Sequence, residues 1–183
     1  MRYADDFLVL TRQWDEGLQG WIEKSLEGKF QLTINREKTK VVDLKEEKAK
    51  VDFPGYTFEL AQDLFGRAKR YLNMVPSAKA MKKERENLHE LTNSQQCFKP
   101  VPELIAEVNQ QLQGWKNYFS IGRPQDAYWE IDWYVRGRLI QHLQRRSQRG
   151  FEFPKDRTIF QWFEEQGLIT LSGRKAQRHP VNA

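Results

Sequence analysis

Two adjacent carboxylates, Asp5 and Asp6, stand between Tyr3-Ala4 and the apolar run Phe7-Leu8-Val9-Leu10. An acidic pair at a turn, with a β-prone run behind it and an aromatic residue ahead, suits divalent metal at the lip of a sheet. In nucleotidyl transfer, two metals about 3.5–4 Å apart clamp the attacking and leaving oxygens of an in-line displacement. Mg²⁺ commonly takes only one or two protein carboxylates, and phosphates and waters complete its octahedron. Acidic pairs at turns are more often plain solvated surface, so the pair gains meaning only from its context.

The elements that must position this pair follow from the pattern downstream. Phe7 to Thr11 reads as a strand returning from the Asp-Asp turn. Leu18, Trp21, Ile22 and Leu26 recur at helical spacing, which predicts a helix from about Asp15 to Gly28, although Gly17 and Gly20 weaken it. Leu32 to Ile34 is a short β-prone run, Asn35 to Lys38 a polar turn, and Thr39 to Leu44 a further strand. Lys45 to Lys50 forms a charged hairpin tip. Val51 to Leu60 then gives a strand pair broken at Pro54-Gly55, where the proline argues for an edge or a bulge.

After Pro76 the period changes to that of helices. Ser77 is the expected N-cap of a helix to about Thr92, with Lys79, Lys82 and Lys83 on one face. Asn93 to Lys99 is a loop, and Pro100 and Pro102 open a second helix. Its apolar stripe is Leu104, Ile105, Val108, Leu112, Trp115 and Phe119, and Gly122 closes it. A third helix is expected from about Pro124 to Arg149, with Val135, Leu139 and Leu143 inward and Arg138, Arg145 and Arg149 on a neighbouring face. A short helix from about Thr158 to Gln166 stops at Gly167, and a polar, basic tail follows from Ser172. The fold class is therefore α+β, with a mixed unit over residues 1–73 and an all-helical unit over residues 74–183.

Composition bounds the partners. Of the 183 residues, 30% are charged and 39% hydrophobic, a globular balance with a net charge of +5. Residues 1–73 carry 13 basic and 13 acidic side chains, whereas residues 74–183 carry 17 and 12, so the whole excess lies in the helical half. That asymmetry points to a polyanion partner. From Arg136 to Arg149 there are five arginines and no acid, where an ordinary solvated helix mixes signs. The face of Arg138, Arg145 and Arg149, with Arg136 and Arg146 beside it, is the expected phosphate contact. Lys79, Lys82, Lys83 and Lys116 are further candidates. The aromatics Trp115, Tyr118, Phe119, Tyr128, Trp129, Trp133 and Tyr134 suit either base stacking or a core, and their helical spacing with aliphatics favours the core. One cysteine, Cys97, excludes an intrachain disulfide, and with only three scattered histidines a structural zinc site is not expected. No run approaches the roughly 20 apolar residues of a membrane span, and the N-terminus does not read as a signal peptide. A cytoplasmic setting is the expectation.

Four blocks in one order give a more specific reading. Arg2-Tyr3-Ala4-Asp5-Asp6-Phe7 resembles the palm motif of reverse transcriptases in their group II intron form. Leu32 to Lys40, with its Lys38-Thr39 pair, resembles that family's next block, and Phe53-Pro54-Gly55-Tyr56-Thr57-Phe58 resembles the Phe-x-Gly-Phe hairpin that follows, with tyrosine for the second phenylalanine. Gly114-Trp115-Lys116-Asn117-Tyr118-Phe119 resembles the Gly-Trp-x-Asn-Tyr-Phe signature of the maturase domain, domain X, which separates intron maturases from other reverse transcriptases.

The resemblance implies a role for each matched residue. Asp5 is a Mg²⁺ ligand, and Asp6 is a second ligand or an electrostatic support. Tyr3 and Ala4 lie beside template–primer. Lys38 stands near the triphosphate, where a cation stabilises developing charge; as a plain hairpin lysine it would only keep an edge polar. Phe53, Gly55 and Tyr56 belong to the hairpin under the primer terminus, or to a plain core. Group II intron RNA is the implied partner, with a DNA target in mobility. The family's palm also needs an aspartate from a strand ahead of the Asp-Asp turn, and fingers ahead of that. The expectation is therefore a truncated or split reading frame, inactive alone as a polymerase, that assists splicing and acts in DNA synthesis only with its upstream half. The alternative is an RNA-binding module without catalysis. Neither the oligomeric state nor an endonuclease domain can be read from the sequence.

Overall fold

The computed structural model describes residues 2–3, 5–63, 69–146 and 151–173. The chain begins with a minimal hairpin, β1 (Arg2–Tyr3) paired antiparallel to β2 (Asp6–Phe7). Helix α1 (Glu16–Glu23) starts at Asp15, whose carboxylate accepts from the Leu18 amide at 2.7 Å, and runs on as a wider π-type turn over Lys24–Lys29. The helix expected over 15–28 is thus present despite its glycines. Its apolar stripe has little to face, since Trp21 is 67% exposed, and none of residues 5–56 is buried.

Three expected strands are absent for a common reason. Leu8 to Thr11, Leu32 to Ile34 and Thr39 to Leu44 are irregular or turn. β-propensity expresses how a side chain packs on neighbouring strands, and an isolated two-stranded hairpin is marginal. Beyond the two residue pairs of β1 and β2, the described part of this block offers these runs no ladder to join. The Asn35 turn does form: its carbonyl accepts from the amides of Lys38 at 3.2 Å and Thr39 at 3.0 Å.

The expected strand pair around Pro54-Gly55 is present as β3 (Lys50–Phe53) and β4 (Tyr56–Gln62), and β5 (Arg70–Pro76) completes an antiparallel sheet ordered β3-β4-β5. Phe58 is the sheet's anchor, fully buried and paired with Val51 on one side and Met74 on the other. Gly55 at φ +83° supplies the positive-φ position that a Pro-Gly turn of type II requires. β5 has no counterpart in the sequence reading and runs across position 73.

Helix α2 (Ala78–Leu91) starts at Ser77, whose Oγ accepts from the Ala80 amide at 3.2 Å. Helix α3 (Val101–Tyr118) follows, and all six expected stripe positions, Leu104 to Phe119, are buried. Helix α4 (Gln125–Arg145) turns Val135, Leu139 and Leu143 inward; the expected end at Arg149 lies outside the described residues. Helix α5 (Ile159–Glu165) opens with a full capping box between Thr158 and Gln161. These helices and the segment through Leu171 share one core with Phe163 and Leu168.

Two polar residues at core positions fix the last segment. Asp132, 4% exposed on α4, accepts from the amides of Leu171 and Ser172 at 2.9 and 3.0 Å and from the Ser172 hydroxyl at 2.7 Å. Asn109 on α3 donates to the Gly167 carbonyl at 2.7 Å and accepts from the Ile169 amide at 3.0 Å.

The sheet is docked on the helices by the signature block. Tyr56 packs against the Tyr118 and Phe119 rings, at 6.0 and 5.0 Å between centroids, and its hydroxyl donates to the Tyr118 carbonyl at 2.5 Å. Gly122 lies against β5, and the Arg123 amide donates to Asn73 Oδ1 at 3.1 Å.

Candidate nucleic-acid interface

The carboxylate pair sits on the first hairpin, where Tyr3 pairs with Asp6 through the backbone and Asp5 lies in the turn, both carboxylates exposed. Ala4 and the side chain of Tyr3 lie outside what is described. Hard oxygen donors of this kind suit Mg²⁺. No group of three or more His, Cys, Asp or Glu gathers among the described residues. Lys38 is exposed in the Asn35 turn. Phe53, Gly55 and Tyr56 are half-buried on the β3–β4 hairpin, and Gly55 and Tyr56 face the end of α3 rather than open solvent. A Cβ at Gly55 would lie 3.2 Å from the Tyr118 ring.

The expected cations divide into free and engaged. Lys79, Lys82 and Lys83 are all exposed on α2, with Lys82 only 3.8 Å from Glu86 in a solvated i,i+4 pair. Lys116 is half-buried, its Nζ 6.0 Å from the Tyr128 ring centroid. Arg145 and Arg146 are exposed at the end of α4, where cations also complement the helix dipole. Arg149 lies outside the described residues.

Arg136 and Arg138 require correction. Arg136 is 6% exposed, its guanidinium 4.7 Å from the centre of the Phe160 ring, a position that withholds it from a phosphate. Arg138 Nε donates to Thr92 Oγ1 at 3.0 Å, its Nη2 to the Thr92 carbonyl at 3.2 Å and its Nη1 to Gln141 at 3.0 Å. Thr92, buried, is the C-cap of α2, so Arg138 serves the terminal carbonyls that a helix leaves unsatisfied. The charge run marks it as a phosphate contact; its long stem instead reaches across to α2. Arg138→Ala is expected to destabilise the chain by about 1.5–3 kcal/mol, the scale for hydrogen bonds to a charged group. Arg138→Lys should recover little of this, because an ammonium lacks the guanidinium fork. Urea unfolding of both variants checks the assignment, and an unchanged midpoint for Arg138→Ala would refute it.

The aromatics are mostly core, as their spacing indicated. Trp115, Phe119 and Tyr128 are buried and in ring contact. Tyr118, Trp129 and Trp133 are more than a third exposed, and Trp133 meets Phe160 edge to face at 5.3 Å.

Several polar groups escaped the sequence reading. Glu84, 2% exposed on α2, accepts at Oε2 from Gln111 on α3 at 2.7 Å, while its Oε1 and the Trp115 Nε1 have no hydrogen-bond partner among the described residues. Burial raises the Glu84 pKa above the usual carboxylate value, against the opposing bonds from Gln111 and Asn87. His142 is buried on α4, and burial lowers its pKa, reinforced by Arg146, Arg145 and Arg138. A charged or polar residue in phase with a buried stripe was the available signal: Glu84 falls between Met81 and Leu88.

Gly114 is a further such position. It is exposed in the interior of α3, and a Cβ there would meet no described atom within 4 Å. Packing within the chain does not call for glycine, which costs a helix about 0.5–1 kcal/mol relative to alanine.

This geometry defines an α+β chain in which a helical bundle, with exposed lysines along α2, is docked through α3 on a small antiparallel sheet. Residues 81–158 match the family model described as group II intron, maturase-specific domain. The segment contains the 114–119 signature, so the similarity to that domain lies in the helical half. No curated protein matches the chain.

Proposed function

We propose that this chain grips folded group II intron RNA through its helical half and thereby assists splicing. The maturase-specific match over residues 81–158 carries the reading. Charge supports it, since the basic excess lies wholly in residues 74–183. Lys79, Lys82 and Lys83 supply an exposed cationic row at the edge of the matched segment, and Arg145 and Arg146 a second cluster within it. Phosphate contacts of this kind give affinity without sequence preference and release counterions.

The lysine row gives the test. Each lost phosphate contact lowers the slope of log K against log salt by roughly 0.7–0.9. Replacing Lys79, Lys82 and Lys83 together with alanine should therefore flatten the slope by about two units and weaken binding to many RNAs alike. The fold should survive, because all three side chains are exposed. Unchanged affinity and slope in the folded triple variant would show that the grip lies elsewhere.

A second reading concerns residues 1–73 as part of a reverse-transcriptase palm. Its observation is the pairing of an exposed carboxylate hairpin with a block that buries nothing over residues 5–56. Phe7, Val9, Leu10, Trp14, Trp21 and Phe30 are all more than 40% exposed there, a density of apolar surface that marks contact with further protein. In that reading the further protein supplies the remaining palm strands and fingers. Asp5 and Asp6 would then hold Mg²⁺, which draws negative charge off the phosphates during RNA-directed DNA synthesis, and Lys38 would face the triphosphate. The intron's DNA target belongs to the same reading.

A further inference from the structure

One acid sits inside the seam between α2 and α3. Glu84 falls between Met81 and Leu88 on the face of α2 that enters the core, and only 2% of it reaches solvent. Burial strongly disfavours a carboxylate that has no cation beside it. The groups that hold Glu84 are neutral amides. Gln111 on α3 donates to its Oε2 at 2.7 Å, Asn87 on α2 adds a second bond, and Oε1 has no partner among the described residues.

The charges on the two helices packed against α2 are committed elsewhere. On α3, Glu107 is paired with Lys99 at 2.7 Å, and Lys116 lies over the Tyr128 ring. On α4, Glu130 is bonded to Arg85, Arg138 holds Thr92, and Asp132 holds the amides of Leu171 and Ser172. His142 of α4 is buried as well, with Arg146, Arg145 and Arg138 beside it. On α2 itself, Lys79, Lys82, Lys83, Glu86, His89 and Glu90 are exposed. We propose that Glu84 is a proton-operated joint between α2 and α3: as a neutral acid it lets the two helices lie closed on each other, and on ionising it draws water into the seam and parts them.

A protonated carboxyl still accepts from Gln111 and carries no charge to desolvate. Burial accordingly raises the Glu84 pKa above its ordinary value of 4.5, against the pull of the two amides. The sign follows by linkage. The folded chain holds this proton more tightly than the unfolded chain does, so the contribution to stability is complete below the ordinary value and is lost as the pH rises through the raised folded one. His142 acts in the opposite direction, because burial lowers its pKa below 6.5, and its contribution is lost as the pH falls. A comparison of variants at Glu84 alone cancels it. Since α2 carries Lys79, Lys82 and Lys83, the joint also sets how that row is held.

Urea unfolding of the full chain from acid to alkaline pH tests the joint, with Glu84→Gln as the isosteric variant that cannot ionise. Relative to that variant, the wild-type folding constant should fall by up to about tenfold per pH unit, the slope for one proton, and then run parallel once Glu84 is ionised in the folded chain. Amide exchange compared at one pH distinguishes parted helices from a uniform loss of stability. The amides of α2 around Glu84 should exchange faster in the wild type than in Glu84→Gln at the alkaline end, and alike at the acid end. Gln111→Lys, which brings a cation to the seam, should abolish the slope, and it decides the matter if Glu84→Gln does not fold. Parallel pH profiles for wild type and Glu84→Gln would overturn the proposal, as would a Glu84 carboxyl carbon that titrates at its ordinary value by NMR. A slope with no difference in α2 exchange would overturn the joint and leave a buried acid only. All of this is measured on the free chain, so the outcome does not depend on whether the lysines of α2 hold RNA.

Discussion

Replacing Gly122 with alanine is expected to cost at least about 3 kcal/mol and to detach the sheet from the helices. Gly122 sits at φ +83°, and a Cβ built there would lie 2.1 Å from the Met74 carbonyl oxygen and 3.0 Å from its carbon. A left-handed conformation alone costs an L-residue roughly 1–2 kcal/mol. The contact adds more, because the obstruction is backbone in β5, which cannot rotate aside as a side chain can. Relief requires the loop between α3 and α4 to move off β5. That movement would break the Arg123 amide bond to Asn73 Oδ1 at 3.1 Å and lift Arg123 from the Tyr71 ring, 4.7 Å away. For a chain of this size each kcal/mol moves the melting temperature by roughly 2–4 °C, so a fall of about 6–12 °C is expected, with faster amide exchange along β5. Gly20→Ala, where the new Cβ meets no described atom within 4 Å, should raise the melting temperature instead. A Gly122→Ala variant that melts within a degree or two of the wild type would show that the loop does not hold the sheet.

The contrast between those two glycines reflects what a sequence can and cannot disclose. Helical information is local, so the stripe from Leu104 to Phe119, the cap Ser77, the helix starts near Asp15 and Thr158, and the stop at Gly167 were all readable from spacing and residue type. Each concerns neighbours within one or two turns. β5 was not readable, because Arg70 to Pro76 lacks alternation and becomes a strand only by pairing with β4. The β-prone runs at Leu8, Leu32 and Val41 erred in the other direction, with suitable residues but no strand to pair with. The arginines show the same limit in side chains. A helical wheel places Arg138 off the apolar stripe, yet it cannot know that the end of α2 lies within reach of its stem. The carboxylate turn was legible as a hairpin, and the maturase signature as a motif. That Tyr56, Tyr118 and Gly122 clasp the sheet to the helices depends on contacts between residues far apart in the chain, 62 positions for Tyr56 and Tyr118, which no spacing rule conveys.

If residues 1–73 belong to a reverse-transcriptase palm, as the second reading proposes, Asp5→Asn is expected to lower DNA synthesis by that polymerase by about a thousandfold or more. The Tyr3–Asp6 pair fixes a turn that presents Asp5 to solvent next to Asp6. Among the described residues, no third metal-binding side chain gathers around these carboxylates. On the proposed palm reading, these carboxylates would hold a hard cation together with phosphate oxygens. Asparagine keeps the size and turn preference of aspartate but loses the full negative charge, so the substitution tests charge with the hairpin unchanged. Removing one preorganised electrostatic group from a transferring centre costs about 10²–10³ in rate, and a direct ligand stands at or above the top of that range. Lys38→Ala should slow synthesis without abolishing it, since a lysine in an exposed turn adds stabilisation to a centre that others assemble. Primer extension on an RNA template with Mg²⁺, in the presence of the palm strands and fingers that reading calls for, measures both. Binding of RNA should be unaffected in either variant, because the lysines of α2 lie outside residues 1–73. If Asp5→Asn extends primers at the wild-type rate, the hairpin carries no metal for that reaction, and the chain's role reduces to holding RNA.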